Sequence, residues 1–304
     1  MALDEQTRAV LDKLAGAPGL EELTVPQARE AQWGFLAFQG QPEPVARVEH
    51  LFVPGPTADL PARIYYPGGD GPFPAIVFLH GSGWVTCNLD IYDVALRALA
   101  NATGHAVFAV NYQKAPEHPF PVPLDDSYAA TAWLFEHAAS VDVDPARIGV
   151  MGDSAGGNLA AAVALRARGT LDLAFQVLVV PALDVDFTTR SYVGHATGHV
   201  LSAATMRWFW SHYLGAEGLS GAVPELAAPL RASVDGLPPA FVAVAEHDPV
   251  RDDGERYAAK LAAAGVPVRL RELEGTIHPF VLMDGALDAY RVLLGELRTW
   301  LGAR

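Results

Sequence analysis

The sequence predicts an α/β protein with a mostly parallel central sheet, helices on both faces and a helical cap. Three observations carry this expectation. First, short continuous apolar runs at 75–79, 106–111, 148–151, 175–180, 240–245 and 268–273 alternate with helical stretches such as 95–103, 127–138 and 254–264. Strands that are apolar throughout and separated by helices belong to a parallel sheet buried on both faces. Second, the runs 48–53 and 60–66 flank the turn signal Pro54-Gly55-Pro56, which reads as an antiparallel pair ahead of the alternating part. Third, two stretches do not fit the rhythm. The chain up to about residue 41 is amphipathic and helical, with Leu11, Leu14 and Leu20 on one side and a bulky cluster of Trp33, Phe35, Leu36 and Phe38. The interval between the runs ending at 180 and starting at 240 is longer than one crossover helix needs, and its segment 205–214 is rich in aromatics. We read residues 1–44 and about 186–224 as two cap segments over the C-terminal edge of the sheet, and 45–304 as the body that carries it.

Size and charge narrow the function. A chain of 304 residues, 51% hydrophobic and 18% charged, has the makings of one large buried core. Its formal net charge of -14 is repelled by a phosphate backbone, so nucleic acid is excluded as a partner. The single cysteine, Cys87, permits no internal disulfide and suits a reducing compartment. Asp4, Glu5, Arg8, Asp12 and Lys13 make the first residues too charged for the apolar region of a signal peptide, and no apolar run is long enough to span a bilayer. The expectation is a cytoplasmic protein without membrane insertion.

The most informative stretch is Gly152-Asp153-Ser154-Ala155-Gly156-Gly157, between the apolar run 148–151 and an Ala/Leu-rich segment, 158–167. A serine flanked by glycines between a strand and a helix is a nucleophile elbow. The turn must lift one hydroxyl clear of the sheet, and side chains two residues away on either side would strike neighbouring backbone; Gly152 and Gly156 have none. The following helix aims its unpaired N–H groups at the serine, where negative charge develops. A serine hydroxyl also needs a base. In chain order, Asp248 and then His278 follow, each in a loop after a predicted strand, where strand C-termini gather. His278 is assigned as general base and then general acid, and Asp248 as the group that fixes its tautomer. Asp252 and Asp253 are rival acids, farther from their strand end. His80-Gly81-Ser82-Gly83-Trp84 follows the run 75–79, and we expect the N–H groups of Gly81, Ser82 and Ala155 to form an oxyanion hole.

Together these elements resemble the hormone-sensitive lipase family of esterases, bacterial family IV. His80 to Trp84 looks like its His-Gly-Gly-Gly-Trp motif, and Gly152 to Asn158 matches its nucleophile motif. Ala115-Pro116-Glu117-His118-Pro119-Phe120-Pro121, Asp248-Pro249 and His278 match the rest. The resemblance implies an α/β-hydrolase fold with a helical cap, hydrolysis of short- to medium-chain carboxylic esters, a small-molecule ester as substrate, and neither organic cofactor nor metal. It also suggests homodimers through the last strand and helix, although 287–301 would serve equally within one subunit. There are two departures. Ser82 replaces the middle glycine, so its Cβ calls for an ordinary backbone angle, and its hydroxyl is free to donate to the oxyanion or a water, or to narrow the acyl entrance. Asn111-Tyr112-Gln113-Lys114 stands for Asp-Tyr-Arg-Leu, which removes an arginine from the surroundings of Glu117. The same triad also serves acyl transfer and amide or carbamate cleavage, and a scaffold that only binds ligand is the remaining alternative.

Other residues are read more plainly. Trp84, Asp153, Met206, Trp208 and Phe209 are candidates for the substrate pocket; consecutive aromatics on a helix face different ways, so only some of them reach it. Asp153 is also read as ordering the elbow. Glu117 and His118 are structural, Asp125 and Asp126 precede a helix and cap it or complement its dipole, and Cys87 is a small buried residue. His195 and His199 are four apart, but Gly194 and Gly198 argue against the helix that would align them as metal ligands.

Overall fold

Eight strands form one sheet in the order β1-β2-β4-β3-β5-β6-β7-β8 in a computed structural model that describes residues 2–215, 218–219 and 222–303. Positions 216, 217, 220 and 221 of the second expected cap segment lie outside the described residues. β1 (Arg47–Pro54) and β2 (Asp59–Tyr66) pair antiparallel across the proline turn, with Val53 opposite Leu60. β2 also runs antiparallel to β4 (Ala106–Val110). From there the sheet is parallel through β3 (Phe73–Leu79), β5 (Val143–Asp153), β6 (Gln176–Val179), β7 (Ala240–His247) and β8 (Val268–Ile277). Alternation along β3 assigns its side chains to two cores. Ala75, Val77 and Leu79 join one, and Ile76 and Phe78 the other.

The helices cover these faces. α1 (Glu5–Leu14) and α2 (Val25–Ala31) come first, with 3-10 turns at Leu20–Glu22 and Gln32–Phe38. α3 (Leu89–Thr103) begins earlier than expected because Asn88 Oδ1 accepts the N–H groups of Asp90 and Ile91, at 2.9 and 3.2 Å. α4 (Val122–His137) also begins earlier, directly after Pro121, so Asp125 and Asp126 lie inside it instead of preceding it. Asp125 pairs with Arg166, and Asp126 accepts the backbone N–H of Gln113 at 2.9 Å. α5 (Ala155–Ala167), α6 (Arg190–Gly194), α7 (Ala203–Leu214), α8 (Arg251–Ala263) and α9 (Ala289–Leu301) complete the set. No helix of the described residues is long and apolar enough to cross a membrane.

The N-terminal segment is tied to the rest at two points that matter for the site. Arg29 grips Glu117 with both Nη atoms, at 2.8 and 2.6 Å, and donates to the carbonyls of Val85 and Ala115. The hydrogen bond from Arg29 lowers Glu117 to a pKa of about 2. Glu117 is thus paired by an arginine from far upstream, while the Gln113 side chain donates to Thr57 and Asp126. Glu21 accepts hydrogen bonds from the hydroxyls of Ser202 and Thr205, joining the first segment to the start of α7.

Candidate active site

Ser154 sits between β5 and α5 with φ 56° and ψ -121°, a backbone conformation that few non-glycine residues adopt. The turn is held by the Ser154 N–H donating to Val179 O at 2.8 Å. It is tight enough that a Cβ on Gly152 would lie 2.2 Å from the Gly156 carbonyl oxygen. One on Gly156 would lie 1.9 Å from that of Leu79.

His278 follows β8 and Asp248 follows β7, adjacent strands whose C-terminal ends face the elbow. His278 Nε2 is 2.7 Å from Ser154 Oγ, and His278 Nδ1 is 2.7 Å from Asp248 Oδ2. A carboxylate only accepts, so Nδ1 carries the proton and Nε2 is left to accept from the serine hydroxyl. Asp248 is fully buried, and its other oxygen accepts the Val250 N–H at 3.0 Å, so the carboxylate cannot swing. The rival acids are engaged elsewhere. Asp252 accepts the Ser191 N–H, and Asp253 accepts those of Leu183 and Asp184.

The loop after β3 differs from expectation at two residues. The Gly81 N–H is already donated, to Asp153 Oδ1 and Tyr92 Oη, each at 3.0 Å, and so cannot serve an oxyanion. The backbone N–H groups of Ser82 and Gly83 have no acceptor among the described residues, and Ala155 opens α5, where an N–H has no intrahelical partner. Ser82 does not take the ordinary backbone angle expected of it. Its φ is 80°, in the region that favours glycine, and its hydroxyl turns away to Cys87 Sγ at 2.7 Å. His80 stacks on Tyr112 with ring centroids 4.4 Å apart, and burial drops its pKa to about 3, so it stays neutral.

Asp153 contributes more than local order at the elbow. Its carboxylate bridges the Gly81 N–H and the Tyr92 hydroxyl, the latter donating at 2.7 Å, and thereby couples the loop after β3 to the turn at Ser154. Burial raises its pKa to about 6, against the opposing pull of Tyr92, His278 and the Gly81 N–H. The sign follows from linkage. A carboxyl whose folded pKa lies above its unfolded value keeps its proton only in the folded state between about pH 4 and 6. Its contribution therefore favours folding at low pH and is lost as pH rises through that window. Asp153→Asn removes the titration while keeping an acceptor. The Tm of the variant relative to wild type is expected to rise between about pH 4 and 6 and then level off; a difference that stays flat across that range would contradict the buried carboxyl.

A cavity of about 550 Å³ opens over Ser154, His278 and Asp153. Its apolar wall comes from Leu14, Phe35 and Phe38 of the first segment and from Leu201 and Phe209 of the second. Of the expected pocket residues, Asp153 and Phe209 line it. Trp84, Met206 and Trp208 do not. Trp84 is fully buried, stacked on Tyr213 at 4.2 Å; Met206 packs in the core; and Trp208 lies against Phe209 and His212 on another side of α7. Only the stripe of α7 through Thr205 and Phe209, one helical turn apart, faces the cavity. The apolar cluster before residue 41 stands out in the sequence without being placed at the pocket, and no motif marks Tyr92. His195 and His199, set aside because glycines break the helix between them, nevertheless meet, with ring centroids 5.1 Å apart.

Residues 76–282 match the sequence profile of a family described as having the alpha/beta hydrolase fold. The chain is 39% identical over 265 residues to the carboxylic ester hydrolase LipN of Mycobacterium tuberculosis, covering 84% of this chain and 70% of that one. It is 42% identical over 229 residues to the carboxylesterase NlhH of the same organism, covering 73% and 72%. Among solved structures, a thermostable esterase from Pseudomonas putida superposes with a TM-score of 0.93 at 34% identity, over 99% of this chain and 97% of that one. With a mostly parallel eight-stranded sheet, the hormone-sensitive lipase-like motifs at its strand ends and these relatives, the chain belongs to the α/β-hydrolase-fold family, in its hormone-sensitive lipase-like branch.

Proposed function

We propose that this chain is a serine carboxylesterase acting on short- to medium-chain esters. The observation that carries the reading is the hydrogen-bonded relay from Asp248 through His278 to Ser154 at the floor of an apolar cavity. Ser154 Oγ attacks the ester carbonyl, forming a C–O bond while its proton passes to His278 Nε2. Asp248 stabilises the imidazolium. The oxyanion lies against the N–H groups of Ser82, Gly83 and Ala155, each worth about 3–4 kcal/mol where such donors have been removed from other enzymes. The bond to the alcohol then breaks, and the alkoxide leaves with the proton held on His278. Water repeats the sequence in reverse order of partners: His278 takes its proton, hydroxide adds to the acyl carbon, and Ser154 leaves reprotonated. We further propose that residues 1–44 and about 186–224 act together as the cap, which the mixed lining of the cavity and the Glu21 contacts support.

A cavity of this size lies within the usual range for small ligands and offers apolar wall for a modest acyl chain. Across p-nitrophenyl esters, kcat/KM is expected to peak between acetate and octanoate and to fall at least about tenfold by palmitate. A maximum at palmitate would overturn the chain-length assignment, and no hydrolysis of any ester in the series would overturn the reading as a whole.

A further inference from the structure

Three histidines meet where the second cap segment touches the end of β7. His195 closes the C-terminus of α6, His199 lies in the loop beyond it, and His247 ends β7 immediately before Asp248. One ligand atom from each lies within 4.8 Å of the other two. The rings of His199 and His247 are nearly parallel with centroids 5.5 Å apart, and His195 stands edge-on to both, at 5.1 and 5.4 Å. His195 Nδ1, His199 Nδ1 and His247 Nε2 are buried and make no hydrogen bond to any of the described residues. Buried polar atoms are rarely left this way, and three convergent imidazole nitrogens are costly unless something fills the space between them.

We propose that His195, His199 and His247 form a binding site for a divalent transition metal of the zinc class, tying the pocket-wall loop to the end of β7. The donor set suits such an ion. Neutral imidazole is its commonest protein ligand, and three imidazoles leave a fourth position for water in a tetrahedral site. Nitrogens bound to zinc at about 2.0–2.1 Å stand roughly 3.4 Å apart in a tetrahedron, so modest rotations of the rings close the present separation. The Glu246 carboxylate, which accepts the Gly275 N–H, lies 3.9 Å from His247 Nε2. The nearby Arg251 guanidinium is offset by Glu255 and Glu272. The absence of a helix through Gly194 and Gly198 is no obstacle, because the third ligand comes from a different element and the loop needs only to fold over it.

The site bears on the pocket through one short segment. Gly198, Val200 and Leu201, which flank His199, line the cavity above Ser154. A metal held by His199 would therefore fix that part of the wall.

The test uses the full chain without a histidine tag, stripped by chelator and dialysed. Isothermal titration with Zn²⁺ is expected to show one equivalent bound per chain, and Co²⁺ in its place is expected to give the visible absorption of a tetrahedral nitrogen-ligated ion. In His195→Ala/His199→Ala both signals are expected to vanish, with affinity falling by more than the roughly 10–100-fold that loss of an outer-shell partner costs. The single variant His199→Asn, in the loop, repeats the test with less disturbance of α6, and circular dichroism of the metal-free forms confirms folding. His247 is left in place because of its neighbour Asp248. Failure of the wild-type chain to bind one equivalent, or undiminished binding in the folded variants, would overturn the site.

Discussion

Ser154→Ala is expected to lower kcat/KM for a short-chain ester by about four to six orders of magnitude while the protein remains folded. The size of the effect reflects a group that acts only as part of a unit. Without Oγ, His278 has no proton to accept and the amides of Ser82, Gly83 and Ala155 have no acyl intermediate to hold. What survives is whatever rate binding and the donors give to attack by water. The fold should be indifferent, because alanine meets the same backbone penalty at φ 56° and, among the described residues, the hydroxyl bonds only to His278. The measurement is steady-state hydrolysis of p-nitrophenyl acetate or butyrate together with a thermal melt. Residual activity above about one per cent in a preparation free of wild-type enzyme would remove Ser154 from the nucleophile's role.

Gly156→Ala is expected to cost at least about 3 kcal/mol of stability, or to keep the protein from accumulating in folded form. The added Cβ would lie 1.9 Å from Leu79 O, 2.6 Å from Leu79 C and 2.7 Å from His80 C. All three atoms belong to the backbone at the end of β3, so no rotamer change relieves the overlap. Either α5 lifts from the sheet or β3 shifts, and the second movement carries the loop of Ser82 and Gly83 with it. Gly295 provides the contrast. It lies in α9 with nothing within 4 Å of an added Cβ, and Gly295→Ala should be neutral or should stabilise by up to about 1 kcal/mol. Urea denaturation of both variants separates the cases. A loss below about 1 kcal/mol for Gly156→Ala would mean that the elbow is looser than its geometry indicates.

Much of the architecture was legible because it rests on local chemistry. The apolar runs became β3 through β8 with shifts of a few residues at their ends, and the proline turn placed β1 against β2. The helix starts moved where side chains decided them, as Asn88 does for α3. The positions of Ser154, Asp248 and His278 were legible for a related reason: a serine between small residues after a strand, and an acid and a histidine each directly after later strands, have few places to go in a parallel sheet. The oxyanion loop was less so. The Gly81 N–H was expected to be free, but it is taken by the carboxylate of Asp153 and by Tyr92, residues 72 and 11 positions away. The backbone angle of Ser82 departs from expectation for the same reason, since contacts around Cys87 and the loop outweigh the intrinsic preference of a residue with a Cβ.

What the sequence by itself determined is the sheet, the elbow and the order of Ser154, Asp248 and His278 along it, because periodicity, glycine placement and residue type act over a few neighbouring positions. Which residues wall the cavity, which amides stay unpaired and whether distant histidines share a space was decided only in three dimensions. Leu14 and Phe38 reach the pocket because the first segment is anchored by Arg29 and Glu21, and Trp84 leaves it because Tyr213 offers a flat partner. Such outcomes depend on which surfaces pack together across long separations in the chain, and no local pattern encodes them.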